Sequence, residues 1–184
     1  HGRGVPLGKV VDCVSRINTG GKYNDDVFQF SVGLNGVGTK AVNALSSEFE
    51  VASFREGQSV RARFQRGRLL EEQKSKSAGE EDGTFVRFTP DPEIFGRYAW
   101  REEFIEHRLR YYAYLNAGLT LLYQGQSFRS KNGLADLLAD EIGEEQPLYE
   151  VVHCKEDHFE FAFTHSHNYG ETYYSFVNGQ YTND

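Results

Sequence analysis

Apolar residues recur at helical spacing twice near the start of the chain. Leu7, Val10, Val11, Val14 and Ile17 form one stripe, and Ala41, Val42, Leu45 and Phe49 form another. The pattern predicts a helix over 7–17 and a second starting near Gly38. Alternation then takes over: Phe49–Phe54, Ser59–Phe64 and Thr84–Thr89 read as strands, and Glu56-Gly57 turns the first two into a hairpin. The charged stretch 66–83, above all Glu71–Glu81, reads as a solvated loop. "PDPEIF" (Pro90–Phe95) introduces a helix from about Trp100 to Asn116, with Phe104, Ile105, Leu109, Tyr112 and Leu115 on its inner face and a stop at Ala117-Gly118. Leu119–Tyr123 and Ser127–Ser130 flank "QGQ" as a further hairpin, and Leu134–Ile142 is a short helix. Past "GEEQP" (Gly143–Pro147) the pattern changes to three strands, Leu148–Cys154, Phe159–His165 and Tyr173–Asn178. Neighbouring strands joined by short turns make the sheet mostly antiparallel, so the class is α+β and not doubly wound. The change of pattern predicts one domain over 1–143 and the start of a second over 144–184.

Composition narrows the picture. With 184 residues, 39% hydrophobic and 14% aromatic, the chain can bury a core. No apolar run reaches the ~20 residues that span a bilayer. Two distant cysteines, Cys13 and Cys154, form no CxxC, the usage of a reducing compartment, and a cytoplasmic location is expected. A net charge of −7 argues against a domain that holds nucleic acid alone, because such affinity comes largely from neutralised phosphates. The opening "HGRGVP" and the closing "FVNGQYTND" both read as cut ends, so a segment of a longer chain is expected.

The stretch "GLNGVGTKAVNAL" puts Gly33, Gly36 and Gly38 just ahead of a helix. Gly costs about 0.5–1 kcal/mol relative to Ala in regular structure, so the cluster needs a reason. Unpaired amides at a helix start suit an anion, phosphate above all. The order Thr39 then Lys40 is not the G-K-[ST] of a Walker loop, and no parallel βαβ unit makes it a dinucleotide fingerprint. A glycine-rich loop packed closely on a neighbour is the alternative. Two further stretches, "GRGVP" (Gly2–Pro6) and "TGGKY" (Thr19–Tyr23), each set backbone beside a cation.

Taken in order, GRGVP, GGK and GLNGVGxxxVNALS resemble the nucleotide site of the B subunits of DNA gyrase and bacterial topoisomerase IV. The likeness runs on through "DGTFVRFTPDPEIF" (Asp82–Phe95), "LRYYAYLNAGLTL" (Leu109–Leu121) and "YYSFVNGQYT" (Tyr173–Thr182), covering nearly the whole chain. It implies a Bergerat-type two-layer α/β sandwich of the gyrase, chaperone, histidine kinase and MutL superfamily, followed by the start of a ribosomal S5-like transducer domain. It implies ATP and Mg²⁺ as cofactors, DNA and an A-type cleavage subunit as partners, and dimerisation of the B subunit on ATP binding. Gly2, Arg3, Gly4 and Pro6 would form the adenine end, with Arg3 and Pro6 walling the base. Gly20, Gly21 and Lys22 would begin the lid. Gly33, Leu34, Asn35, Gly36, Val37, Gly38 and Thr39 would wrap the triphosphate. Thr84 would reach the adenine region, and Arg55 would stand at the pocket mouth. The family's water-activating Glu, its Mg²⁺-binding Asn and its adenine-pairing Asp match nothing here, and His1 precedes Gly2. These are expected upstream, so no residue of this chain is assigned a catalytic or metal-binding role.

MutL-type mismatch-repair ATPases share the superfamily, but they carry "GFRGEAL" where this chain has "GLNGVGT". A non-catalytic nucleotide-binding module is the other reading. His153, Cys154, His165 and His167 invite a zinc site, yet adjacent strand residues point to opposite faces, so surface or core roles are expected. "RYYAYL" (Arg110–Leu115) fits a buried helix face better than a base-stacking platform, and Cys13 reads as a small core residue.

Overall fold

In the computed structural model, residues 4–17, 19, 36–77 and 79–182 are described. They pack as two compact units, His1–Ala99 and Trp100–Asp184. The change of pattern at 143–147 therefore falls inside the second unit.

The first unit is built on a four-stranded antiparallel sheet in the order β3-β2-β1-β4. Its strands are β1 (Ser46–Arg55), β2 (Gln58–Gln65), β3 (Arg68–Lys76) and β4 (Gly83–Pro90). A 3-10 turn (Leu7–Lys9) leads into α1 (Val10–Ser15), and α2 (Gly38–Ala44) runs straight into β1. Alternation explains what is buried. Phe49 and Val51 of β1 face the same way as Val60, Ala62 and Phe64 of β2, and Val10 and Val14 of α1 close over them. The Phe49 and Phe64 rings meet edge to face with centroids 6.0 Å apart. On the opposite face the buried Glu50 is held by Arg61 of β2 and by Arg87 of β4, the latter at 2.7 Å.

β3 corrects the expectation of a loop over Glu71–Glu81 as far as Lys76; residues 77 and 79–81 belong to no strand. Every residue of β3 is exposed, so no buried face marked it in the pattern. It forms because Arg66 (φ 49°) and Gly67 (φ 78°) make a tight turn that returns the chain along β2, in register from Gln65↔Arg68 to Gln58↔Lys76. Glu71, Glu72, Lys74 and Lys76 then charge an edge that would otherwise invite another chain.

The second unit holds α4 (Glu102–Leu115), which follows the short α3 (Pro92–Phe95) of the first unit. After α4 come the hairpin β5–β6 (Thr120–Tyr123, Gln126–Arg129), α5 (Leu134–Ile142) and the hairpin β7–β8 (Val152–Lys155, Glu160–Phe163). The inner face expected for α4 needs correcting. Ala113 is its buried residue, whereas Phe104 is 61% exposed and Tyr112 44% exposed. Both help to line a groove with His107, Tyr111 and Phe176, so "RYYAYL" is only partly core. The last expected strand, Tyr173–Asn178, is instead a small hairpin: β9 (Phe176–Val177) and β10 (Gln180–Tyr181) around Asn178-Gly179, both at positive φ.

Asp136 ties the start of α5 together. Its carboxylate accepts hydrogen bonds from Ser130 Oγ (2.7 Å), Lys131 N (3.0 Å) and Asn132 N (2.9 Å). Partial burial opposes ionisation, but the Ser130 and Asn132 bonds outweigh it and bring the pKa from the ordinary 3.8 down to about 2. A carboxyl depressed on folding contributes stability that is complete above its unfolded pKa and lost as pH falls through the folded one. The urea midpoint of the second unit should therefore fall between about pH 5 and pH 2, and Asp136→Asn should flatten that slope.

Candidate functional site

Two groups of the expected residues come together, one at each end of α1. The first forms around Ser53. This β1 side chain is fully buried, and its Oγ donates to the carbonyl of Val5 at 2.6 Å. That bond draws Gly4–Pro6 onto the sheet. Across the β1–β4 ladder Ser53 pairs with Thr84, so the "GRGVP" turn and the "DGT" threonine share one end of the sheet. Pairs in an antiparallel ladder share a face, which puts Thr84 on the helix-bearing side. The next residues of β4 on that side, Val86 and Phe88, stay largely exposed and give the spot an open apolar floor. Asp82 accepts from the Glu56 N–H at 2.8 Å, so the turn before Thr84 is pinned beside the end of β1, where Arg55 stands.

The second group forms where α2 begins. Gly38 is the first residue of α2, and Val37, Gly38 and Thr39 are exposed. The first-turn amides of a helix lack intrahelical acceptors and carry a positive partial potential. A Cβ built on Gly38 would meet nothing within 4 Å, so the space before it is open. Gly36 differs. It sits at φ +56°, and a Cβ there would stand 3.0 Å from Lys40 Nζ and 3.0 Å from the Thr19 carbonyl oxygen. Only glycine fits that turn without displacing the pair. Gly2, Arg3, Gly20, Gly21, Lys22, Gly33, Leu34 and Asn35 lie outside the described residues.

α1 links the two groups. Val5 precedes it and Thr19 follows it, and the 3-10 turn plus α1 rise about 15 Å between them. Such a layout offers an apolar end and an amide-rich end to one elongated ligand whose tail is anionic. Sequence reasoning missed Ser53, Asp82, Lys40 and Asn43. Ser53 was visible as a small polar residue in a run that otherwise buries Phe49 and Val51.

The histidine-rich strands do other work. His153 Nε2 lies 3.0 Å from Glu160, which also accepts from Lys155 at 2.9 Å and from the Leu134 N–H of α5 at 3.1 Å. His165 pairs with the Tyr149 hydroxyl. Among the described residues no three His, Cys, Asp or Glu gather as a metal site.

No protein-family model matches the chain. Whole-chain similarity is decisive instead. All 184 residues align at 60% identity with the B subunit of DNA topoisomerase 4 from Borreliella burgdorferi, over 31% of that protein. The gyrase B subunit of Thermus thermophilus is 34% identical over 97% of this chain and 31% of its own length. The chain belongs to the family of gyrase and topoisomerase IV B subunits. It spans about a third of the length of the curated relatives it matches. The 43K ATPase domain of Thermus thermophilus gyrase B, solved with an aminocoumarin, superposes at TM-score 0.65 and 35% identity over 77% of this chain and 42% of that one. The gyrase B subunit of Myxococcus xanthus superposes at TM-score 0.75 over 98% of this chain and 55% of that one, a likeness of fold at 19% identity. The α+β fold is that of the gyrase B ATPase domain, and the 60% identity to a topoisomerase 4 B subunit favours that family over the MutL reading.

Proposed function

We propose that this chain is the ATP-binding part of the ATPase subunit of a type IIA DNA topoisomerase, an enzyme that couples ATP binding and hydrolysis to DNA strand passage. The observation that supports the reading is the Ser53–Val5 hydrogen bond together with the Ser53–Thr84 pairing, which bring the described parts of the "GRGVP" and "DGT" stretches to one end of the sheet. Gly4, Pro6 and Thr84 hold the base there, with Arg55 at the mouth, and the family pattern assigns Gly2 and Arg3 to the same task. Gly36, Val37, Gly38 and Thr39 meet the triphosphate, together with Gly33, Leu34 and Asn35, and Gly21 and Lys22 start the segment that covers it. Bound Mg²⁺ supplies charge neutralisation at the phosphates. The chain's own contribution is positioning and a field of fixed amide dipoles.

Residues 144–184 form the first strands of the transducer domain. Through it the nucleotide state reaches an A-type cleavage subunit and DNA, after two B subunits close on each other in the cytoplasm. A ligand shifts such a closure only by its differential affinity for the open and closed states, so the covering segment must touch phosphate. The acidic charge suits a gate through which DNA passes and is cut elsewhere. Among the described residues no helix is long and apolar enough to cross a membrane.

A titration with a non-hydrolysable ATP analogue tests the reading: amides of Gly36–Thr39 and Thr84 should shift together, and binding elsewhere would sink it. The 184-residue chain by itself should hydrolyse ATP no faster than background, since none of its residues is assigned to activate water. Robust Mg²⁺-dependent turnover would overturn that assignment.

A further inference from the structure

Lys40 follows the glycine cluster and would be the natural cation for a phosphate. It is turned away from that task. Lys40 is only 8% exposed, and its Nζ donates to the Thr19 carbonyl at 3.0 Å. One turn on, Asn43 is 1% exposed, and its Nδ2 donates to the Val14 carbonyl of α1 at 2.9 Å. Thr19 is itself fastened to α1, because its Oγ1 lies 2.6 Å from the carbonyls of both Asp12 and Arg16. Residues three apart share a helix face, so one face of α2 holds α1 directly through Asn43 and the segment just after it through Lys40. The absent side chain of Gly36 leaves room for the Lys40 Nζ and the Thr19 carbonyl.

Asn43 Oδ1 has no hydrogen-bond partner among the described residues. A buried carbonyl oxygen left unpaired is unfavourable, and an apolar side chain would avoid that penalty. Asparagine at this place is therefore explained by what its amide does: it sets the position of α2 against α1. The Val5–Ser53 bond sets the other end of the same helix.

Resting on the nucleotide reading above, we propose that Asn43 and Lys40 are positioning residues that set the distance between the adenine-end group and the phosphate-end group, with α1 as the spacer. Neither touches the ligand. Their effect is confined to ligands long enough to use both ends: ATP depends on the spacing, and adenosine, which reaches only the Thr84 end, does not.

The test compares ATP with adenosine on the intact polypeptide, by calorimetry or competition, for wild type, Asn43→Ala and Lys40→Met, with thermal melts alongside. Asn43→Ala should weaken ATP about tenfold and leave adenosine within about twofold. Lys40→Met keeps the buried stem, loses the donor and should repeat the pattern. Should Asn43→Ala fail to fold, Lys40→Met decides by itself. Equal weakening of both ligands, or unchanged ATP affinity, would overturn the spacing role and leave these residues as plain structural supports. A wild type that binds ATP no better than adenosine would instead overturn the nucleotide reading, and this inference with it.

Discussion

Gly38→Val in the intact polypeptide should weaken ATP binding by about a hundredfold or more while leaving the melting temperature nearly unchanged. The two halves of that result have separate causes. In the folded chain a Cβ at Gly38 meets nothing within 4 Å, and its φ does not demand glycine. Valine is no worse than glycine at the first position of a helix. The fold therefore tolerates the change, within the ~0.5 kcal/mol usual for surface substitutions. The ligand does not. A branched side chain would fill the open space before α2, where the phosphates must approach within hydrogen-bonding distance of the amides. Bonds to charged groups contribute roughly 1.5–3 kcal/mol each, so losing two of them accounts for about a hundredfold or more. Gly38→Ala should fall between wild type and valine. Equilibrium dialysis or calorimetry reads the affinity, and a valine variant that binds ATP normally would remove Gly38 from the site.

The largest loss of stability should come from Phe49→Ala. Phe49 lies on β1, which has a strand on either side, is 2% exposed, and packs edge to face on Phe64 beneath α1. Truncation removes the buried ring and leaves a cavity that a paired strand cannot close, a change worth about 3–5 kcal/mol. Against a total stability of roughly 5–15 kcal/mol, the first unit would be left close to unfolding. Phe49→Leu, which keeps most of the volume, should cost far less. Denaturant unfolding measures both. A Phe49→Ala loss below about 1 kcal/mol would mean that the sheet and α1 do not share the core described here.

The two variants separate cleanly because the site and the core use different parts of the same elements. The start of α2, at Val37–Thr39, is exposed, and in the proposed site it meets the triphosphate. Its inner face, through Lys40 and Asn43, holds α1 in place.

Much of this was legible in the chain. The stripe Val10, Val14 and the alternation Phe49, Val51, Val60, Ala62, Phe64 named the core of the first unit, because burial on one face imposes a period that survives in the sequence. The order of the glycine motifs named the family. β3 was hidden for the converse reason. An edge strand exposed on both faces leaves no apolar period, and only its turn at Arg66-Gly67 and its pairing to β2 reveal it. The exposure of Phe104 and Tyr112 was hidden as well, since periodicity tells which residues share a face and not whether anything covers it.

By itself the sequence determined the class of fold and the core of the first sheet, both of them consequences of local spacing. Tertiary structure alone decided that Ser53 joins Val5 to Thr84, that Lys40 serves a carbonyl and not a phosphate, and that Asn43 sets α2 against α1. Each of these joins residues distant along the chain through one hydrogen bond or one ladder pairing, and a single contact between remote positions leaves no period for a sequence to display.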